Sequence, residues 1–204
     1  MEVEHASRVE KEISIASIDL EKAFDNVNRD SIYEAVMKSS FSDTMKKAVW
    51  DIFRIWDKCK LFVNKDFVGE IVKTSGIRQG CTLSPMIFNM TLNGTIDRLN
   101  TRFPNNSTNA LFFADDALLI GHNKLEIKTK INILREELEK IGLKLNKDKS
   151  GIIHIGKPEK HEIDLNDNND CKLPLPLINE IKYLGLKVKN SWAPLYEDPK
   201  SRLG

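Results

Sequence analysis

Two adjacent aspartates, Asp115 and Asp116, sit in the run A-L-F-F-A-D-D-A-L-L-I-G (residues 110–121), flanked by apolar residues with no Lys or Arg between them. Leu111, Phe112 and Phe113 before the pair, and Leu118, Leu119 and Ile120 after it, read as two short buried strands. A tight turn carrying both aspartates would join them. Carboxylates pressed together in apolar surroundings repel, so at least one of them prefers to be neutral. A divalent cation seated on the pair reverses that preference. A solvent-exposed Asp-Asp hairpin turn is the competing reading, and a second, remote carboxylate in a similar context would decide between the two.

Asp19 is that carboxylate. The segment K-E-I-S-I-A-S-I-D (residues 11–19) sets Ile13, Ile15, Ser17 and Asp19 on one face of a strand, because side chains alternate along it. Asp19 ends the strand where the chain turns through L-E-K-A-F-D-N-V-N. Neighbouring strands can bring Asp19 to the Asp115–Asp116 turn although the residues are far apart in sequence. Three carboxylates converging from two strands make an oxygen-ligand site for hard cations, with open positions left for phosphate oxygens. Two such ions, about 3.5–4 Å apart, stabilise both the attacking and the leaving oxygen of an in-line phosphoryl displacement. The expectation is Mg²⁺-dependent phosphoryl or nucleotidyl transfer, with the carboxylates as metal ligands rather than general bases.

The elements that must position these groups follow from the hydrophobic pattern. Ser31 to Glu34 has the form of a capping box, predicting a helix from Ser31 to about Lys38. A second helix begins at Ser42 or Asp43, with Met45, Val49, Ile52, Phe53 and Trp56 as its apolar stripe. Leu61 to Val63 and Phe67 to Val72 form a hairpin about Asn64, Lys65 and Asp66. After the turn-forming Gly76 and Gly80, Ser84 as N-cap and Pro85 at the first helical position open a helix carrying Ile87, Phe88, Leu92, Ile96 and Leu99. Asn123 caps a further helix with Ile127, Ile131, Leu134, Leu138 and Ile141 on its apolar face, and Gly142 stops it. A strand over 152–155, a polar loop over 156–176 and a last strand over 181–189 complete the chain. His154, alone on an apolar strand, reads as a packing residue. The order of elements predicts an α+β fold with a mainly antiparallel sheet and helices packed on one face.

Composition bounds the rest. A chain of 204 residues with 41% hydrophobic and 30% charged residues is an ordinary soluble globular protein in one large domain, or a core with an appendage. The net charge of +1 means that any basic surface is local. Cys59, Cys81 and Cys171 are widely separated and lack CxxC spacing, which points to a reducing compartment, no zinc site and small buried side chains. No apolar run is long enough for a membrane span and the N-terminus has no signal-peptide core, so an intracellular, soluble protein without a membrane partner is expected.

Three stretches now carry a resemblance. D-L-E-K-A-F-D-N-V-N-R (19–29), G-I-R-Q-G-C-T-L-S-P-M-I-F-N (76–89) and F-A-D-D (113–116) resemble three successive motifs of reverse transcriptases, nearest to those of non-LTR (LINE-type) retrotransposons. G-L-K-L-N-K-D-K-S (142–150) and Y-L-G (183–185) are similar to the two motifs that follow in that family. F-A-D-D alone is a weak signal, but motifs in this order and spacing over residues 13–189 are strong. The resemblance implies a polymerase palm that performs RNA-directed DNA synthesis with two Mg²⁺ ions, Mn²⁺ being a possible substitute. Its partners would be an RNA template, a DNA primer and a deoxynucleoside triphosphate.

Carried over by residue, the resemblance makes Asp19 and Asp115 the principal metal ligands, with Asp116 completing the catalytic carboxylates and the Leu20 backbone carbonyl as a further ligand. Phe24 matches the aromatic gate against the sugar of the incoming nucleotide, whose flat ring leaves no room for a 2′-hydroxyl. Without that motif Phe24 would read as a core aromatic. Arg78, Gln79 and Gly80 match the segment that contacts the template and the nascent base pair. Gly80 would allow close backbone approach, and Gln79 can donate and accept hydrogen bonds at once. Thr82 stands where many relatives have Pro. Lys149 reads either as the proton donor to pyrophosphate or as a solvated lysine in a lysine-rich turn. Tyr183, Leu184 and Gly185 match the primer-grip hairpin, though a core strand would look the same.

The expected organisation is a charged segment over 1–12, a palm core over 13–155, a polar linker over 156–177, and a terminal palm strand leading into the start of a thumb or tail over 178–204. The stretch before Asp19 is too short for the fingers of such enzymes, and neither Arg8 nor Lys11 is marked as a substitute for its basic residues. Fingers and thumb are therefore expected to be incomplete, with the missing fingers and the family's endonuclease lying elsewhere on a longer polypeptide. A palm remnant that only binds nucleic acid is the alternative reading. A phosphoacceptor receiver domain also gathers aspartates at strand ends, but its acidic pair comes first and its strands alternate with helices, the reverse of this chain. The family also implies action in the nucleus.

Overall fold

A computed structural model describes residues 13–55, 58–102, 110–155 and 175–189. The element order is β1 (Ile13–Asp19), α1 (Ala23–Asn26), α2 (Arg29–Lys38), α3 (Asp43–Ile55), β2 (Lys58–Val63), β3 (Asp66–Val72), α4 (Ser84–Arg102), β4 (Ala110–Phe113), β5 (Asp116–Gly121), α5 (Lys124–Lys140), β6 (Gly151–Ile155), β7 (Glu180–Tyr183) and β8 (Leu186–Lys189). This is a mixed α+β fold with antiparallel sheets. The readings made for residues 1–12, for Arg8 and Lys11, for Trp56, for Cys171, and for most of the 156–177 linker and of the tail lie outside the described residues. No helix among the described residues is long and apolar enough to cross a membrane.

The chain divides into two compact units, with α5 contributing to both. The first unit holds a four-stranded sheet in the order β4-β5-β1-β6, and every pairing in it is antiparallel. β1 is an inner strand. Ile15 lies between Ile120 and Ile153, and with Ile13, Leu118, Ile155 and Ile181 it forms one apolar cluster. Ser14, Ala16 and Ile18 on the opposite face are equally buried. The alternation expected for β1 therefore describes which face Asp19 shares, but both faces are covered. Ser14 Oγ and His154 Nδ1 lie 3.0 Å apart across β1 and β6, so the histidine has a polar partner as well as packing.

Two expectations for this unit need correction. β4 is an edge strand rather than a buried one, with Leu111 55% and Phe113 59% exposed, because only β5 pairs with it. The last strand is in fact a hairpin, β7–β8, turning through Leu184 (φ 48°) and Gly185 (φ 82°). Leu and Gly at the turn supply the left-handed pair that a two-residue hairpin needs. On the far edge of the sheet, Ile152 N–H donates to Pro176 and Ile178 N–H to Ile152, so the end of the expected linker runs beside β6. Asn123 caps α5 as the sequence suggests: its Oδ1 accepts from Glu126 N–H, and Glu126 Oε2 accepts from His122 N–H.

The second unit holds α1 to α4, the β2–β3 hairpin and the last turn of α5. α2 starts two residues before the expected Ser31. Asn28 is the cap, accepting from Ser31 N–H at 2.8 Å, while its amide donates to the Lys140 carbonyl. Glu34, the supposed return arm of a capping box, instead pairs with Lys38 one turn on. α3 begins after Ser42, whose Oγ accepts from Met45 N–H. Val49 and Phe53 of its stripe are buried, whereas Met45 is half exposed. β2 and β3 meet at a two-residue turn, Asn64 at φ 50° and Lys65 at φ 74°, one residue shorter than expected because Asp66 already pairs with Val63. Gly142 ends α5 at φ 82°, and a side chain there would strike the Asn26 carbonyl. Cys59 is exposed and Cys81 half-buried, so neither is the buried small residue expected.

Candidate active site

Strand register settles the first question the sequence poses. Asp19, last residue of β1, is the direct partner of Asp116, first residue of β5. Directly opposed residues share a face and have Cα atoms about 4.5–5.5 Å apart. The β4–β5 turn consists of Ala114, at φ 53°, and Asp115, so only the first aspartate lies on the turn expected to carry both, because Asp116 already pairs with Phe113 in β5. A left-handed residue at the first turn position is normally glycine, so alanine there holds the Asp115 backbone in a strained turn. Asp115 is exposed and Asp116 half-buried, so the pair is less enclosed than its apolar flanks suggest. Burial, reinforced by the charges of Asp115 and Asp19, pushes the Asp116 carboxyl above its ordinary value, while Lys149 opposes the rise. The three carboxylates are thus near enough to feel one another.

A second segment grips Asp19. The turn before β6 carries Asn146, whose Nδ2 donates to Asp19 Oδ2 at 2.9 Å. Asn146 N–H donates to the Asp19 carbonyl, Ser150 N–H donates to the Asn146 carbonyl, and Asp19 N–H donates to Ser150 Oγ. Asn146 Oδ1 also accepts from Asp148 N–H, an Asx-type turn that fixes the side chain. Lys149 Nζ lies 3.9 Å from the same Asp19 oxygen, on a largely exposed side chain. Tyr183 of the β7–β8 hairpin packs against the apolar cluster beneath. Burial, with the Asp116 charge as a second cause, raises its phenol above the ordinary value. The sequence reading missed Asn146 and Ser150. The available signal was an Asn-Lys-Asp turn directly before a strand, but nothing local says that its amide reaches back to β1.

Phe24, Arg78, Gln79 and Gly80 belong to the other unit. Phe24, half-buried, stacks on Phe88 of α4 with ring centroids 4.6 Å apart. Its carbonyl accepts from Ile77 N–H, the Val27 carbonyl from Gly76 N–H, and the Asp25 carbonyl from Ser75 Oγ. These bonds bind the 75–79 segment to the 24–27 segment. Gly76, at φ 76°, is required there, since an added Cβ would sit 2.4 Å from the Asp25 carbonyl oxygen. Gln79 Nε2 donates to Asp25 Oδ2 at 3.3 Å. The Ser84 hydroxyl donates to the Arg78 carbonyl, so this serine fastens the preceding loop as well as opening α4. Gly80, at φ 85°, has nothing among the described residues within 4 Å of an added Cβ. Its glycine answers to backbone conformation. Leu20, next to Asp19, is buried.

Three carboxylates, two of them register partners, are the hard oxygen donors that Mg²⁺ or Mn²⁺ takes. The donor types and the mutual repulsion at Asp116 fit a divalent cation. Among the described residues, however, no group of three or more His, Cys, Asp or Glu is drawn into a closed ligand shell. The Asp19 carboxylate is engaged by Asn146 and Lys149, and Asp115 is exposed on its turn.

Comparison with known proteins accords with this arrangement. The model of the family "Reverse transcriptase (RNA-dependent DNA polymerase)" matches residues 1–188. The chain is 29% identical over 196 residues to the Retrovirus-related Pol polyprotein from type-1 retrotransposable element R2 of Nasonia vitripennis, covering 91% of this chain and 19% of that protein. It is 28% identical to the R2 polyprotein of Popillia japonica, covering 89% of this chain and 32% of the relative. The chain therefore spans between about a fifth and a third of the length of these relatives. Among solved structures, telomerase from Candida tropicalis in complex with a fragment of telomeric RNA superposes with a TM-score of 0.64 at 16% identity, over 93% of this chain and 31% of that one. That likeness is one of fold. By the extent of the family match, the chain belongs to the reverse transcriptases, the RNA-directed DNA polymerases, and is related to the Pol proteins of R2-type non-LTR retrotransposons.

Proposed function

We propose that this chain is the palm of an RNA-directed DNA polymerase, with its core over residues 13–155 and the β7–β8 hairpin beside it, and that it joins deoxynucleotides to a DNA primer on an RNA template. One observation above the others supports the reading: Asp19 and Asp116 are register partners on one sheet face, with Asp115 on the adjoining turn. In this reading Asp19, Asp115, Asp116 and the Leu20 carbonyl hold the divalent ions. A pair of Mg²⁺ or Mn²⁺ ions bound there supplies Lewis-acid stabilisation to the attacking and leaving oxygens. Asn146 and Ser150 orient Asp19. The primer 3′-hydroxyl gives up its proton to water as its oxygen attacks the α-phosphorus, the bond to the bridging oxygen breaks, and Lys149 delivers a proton to the departing pyrophosphate. Phe24, its ring fixed by stacking on Phe88, lies against the sugar and excludes a 2′-hydroxyl. Arg78, Gln79 and Gly80 contact the template and the nascent pair, and Tyr183 with its hairpin steadies the primer end.

The test is magnesium-dependent extension of a DNA primer on an RNA template by a polypeptide containing this chain, beside its Asp115→Asn variant. Loss of incorporation in the variant, with nucleic-acid binding retained, supports the assignment. Equal incorporation by both proteins contradicts it. Binding without incorporation by either protein favours the alternative reading, a non-catalytic palm that only binds nucleic acid.

A further inference from the structure

The bonds that dock the 75–77 segment on the 24–27 segment run from Ser75 Oγ to the Asp25 carbonyl, from Gly76 N–H to the Val27 carbonyl and from Ile77 N–H to the Phe24 carbonyl. They stop at Ile77, which is buried, whereas Gln79 beyond it is exposed. The Asp25 carboxylate carries the fastening further. Its Oδ1 accepts from Lys73 Nζ at 3.4 Å and its Oδ2 from Gln79 Nε2 at 3.3 Å, while Lys73 Nζ also donates to the Ile77 carbonyl at 3.3 Å. We propose that the Asp25–Lys73 ion pair positions the incoming nucleotide indirectly, by holding Gln79 beside Phe24 with its amide in one orientation. The roles of Phe24 and Gln79 rest on the polymerase reading, and neither Asp25 nor Lys73 touches the nucleotide.

A carboxylate only accepts hydrogen bonds and an ammonium only donates them. Against Asp25, the Gln79 amide must therefore present its nitrogen, which leaves Oε1 free to accept from a ligand. Lys73 fixes the Asp25 carboxylate in turn, because its ammonium is shared between Oδ1 and the Ile77 carbonyl on the docked segment. Among the described residues the Gln79 side chain has no other hydrogen-bond partner. Phe24 is held by different means, its ring stacked on Phe88. The backbone before Gln79 is held by the Ser84 hydroxyl on the Arg78 carbonyl. Loss of the ion pair thus frees the Gln79 side chain while the Phe24 ring stays in place. The Asp25 and Lys73 side chains are 43% and 31% exposed, so water competes with the pair and the expected effect is modest, about fivefold.

Steady-state primer extension by Asp25→Ala and Lys73→Met tests the proposal, because the two substitutions change the local charge in opposite directions. Positioning predicts that both raise the KM for the deoxynucleoside triphosphate, each about fivefold, with kcat little changed. The double variant is expected to be no worse than either single one, since both remove the same device. The preference for deoxynucleotides over ribonucleotides is expected to keep its wild-type value, because Phe24 and Phe88 are untouched. Lys73→Arg, whose guanidinium can serve the same two acceptors, is expected to recover most of the wild-type KM. Thermal melting checks folding, and Lys73→Met against Lys73→Arg carries the test if Asp25→Ala does not fold. KM values that move in opposite directions overturn the proposal, since the two charges would then act only through their field on the triphosphate. Unchanged KM in folded variants overturns it too, as does a joint loss of kcat and sugar preference, the mark of a loosened fold. Calorimetric binding of the triphosphate separates this from the polymerase reading. If wild type binds it without extending a primer, and both variants bind it more weakly, the positioning role stands and the polymerase reading fails. If wild type neither binds nor extends, both fall.

Discussion

Replacing Asn146 with alanine removes a single side-chain bond to Asp19 and leaves the rest of the clamp intact. The Asn146 N–H bond to the Asp19 carbonyl, the Ser150 N–H bond to the Asn146 carbonyl and the Asp19 N–H bond to Ser150 Oγ use no atom beyond Cβ of residue 146. What is lost is the 2.9 Å bond to Asp19 Oδ2, together with the turn contact to Asp148 N–H. A hydrogen bond to a charged group contributes about 1.5–3 kcal/mol. Asp19 keeps a fifth of its side chain exposed, so water recovers part of this and the lower end, about 1.5 kcal/mol, applies. That energy holds the Asp19 carboxylate in one orientation at the end of β1, opposite its register partner Asp116. Its loss corresponds to roughly a tenfold weaker divalent-ion affinity. The assays are the Mg²⁺ midpoint of primer extension and, independent of turnover, calorimetric Mn²⁺ binding, each beside a melting curve. A midpoint raised about tenfold with folding preserved is the expected result. Unchanged Mg²⁺ and Mn²⁺ midpoints would refute Asn146 as the arm that orients Asp19.

Further outcomes follow from the same structure. Glu137 is buried, and although burial pushes its carboxyl up, hydrogen bonds from Lys140, Arg98 and Arg102 overcome this and bring it from 4.5 down to about 2. A carboxyl depressed on folding stabilises the fold fully above about pH 4.5 and ceases to do so as pH falls through about 2, a window worth roughly 3 kcal/mol. Acid denaturation of wild type against Glu137→Gln checks it, the variant being less stable at pH 7 but flatter across that window. Gly76→Ala should cost at least about 2 kcal/mol in urea unfolding, because it combines a left-handed backbone with a Cβ driven against the Asp25 carbonyl. Lys65→Gly relieves a left-handed lysine in the β2–β3 turn and should stabilise that hairpin by about 0.5–1 kcal/mol, read as slower amide exchange in β2 and β3.

The parts of the site legible in the sequence are those set by short-range pattern. Alternation along β1 puts Asp19 on the face with Ile13 and Ile15, and the apolar runs about Asp115 and Asp116 mark the hairpin. Antiparallel register between two such strands then brings Asp19 to Asp116. Asn123, Ser42 and Gly142 bound their helices for the same local reasons. What could not be read depends on partners distant along the chain. Asn28 takes the cap of α2 from Ser31 because its amide also has the Lys140 carbonyl to bind. The Ser84 hydroxyl goes to Arg78, and the Asn146 amide crosses from the turn before β6 to the end of β1. Leu111 and Phe113 have the composition of buried strand residues, yet strand order leaves them on an edge, and order is a property of the assembled sheet. The β7–β8 turn hid in the same way, since Leu184-Gly185 interrupts a run of otherwise alternating residues.

The carboxylate site is tested most directly by locating bound Mn²⁺ in crystals of the protein through its anomalous scattering, in wild type and in Asp115→Asn. Shared coordination of one ion by Asp19 and Asp115, lost in the variant, is the expected result. Mn²⁺ bound elsewhere, or bound by one of these aspartates with the other turned away, would contradict a common metal site at the end of β1.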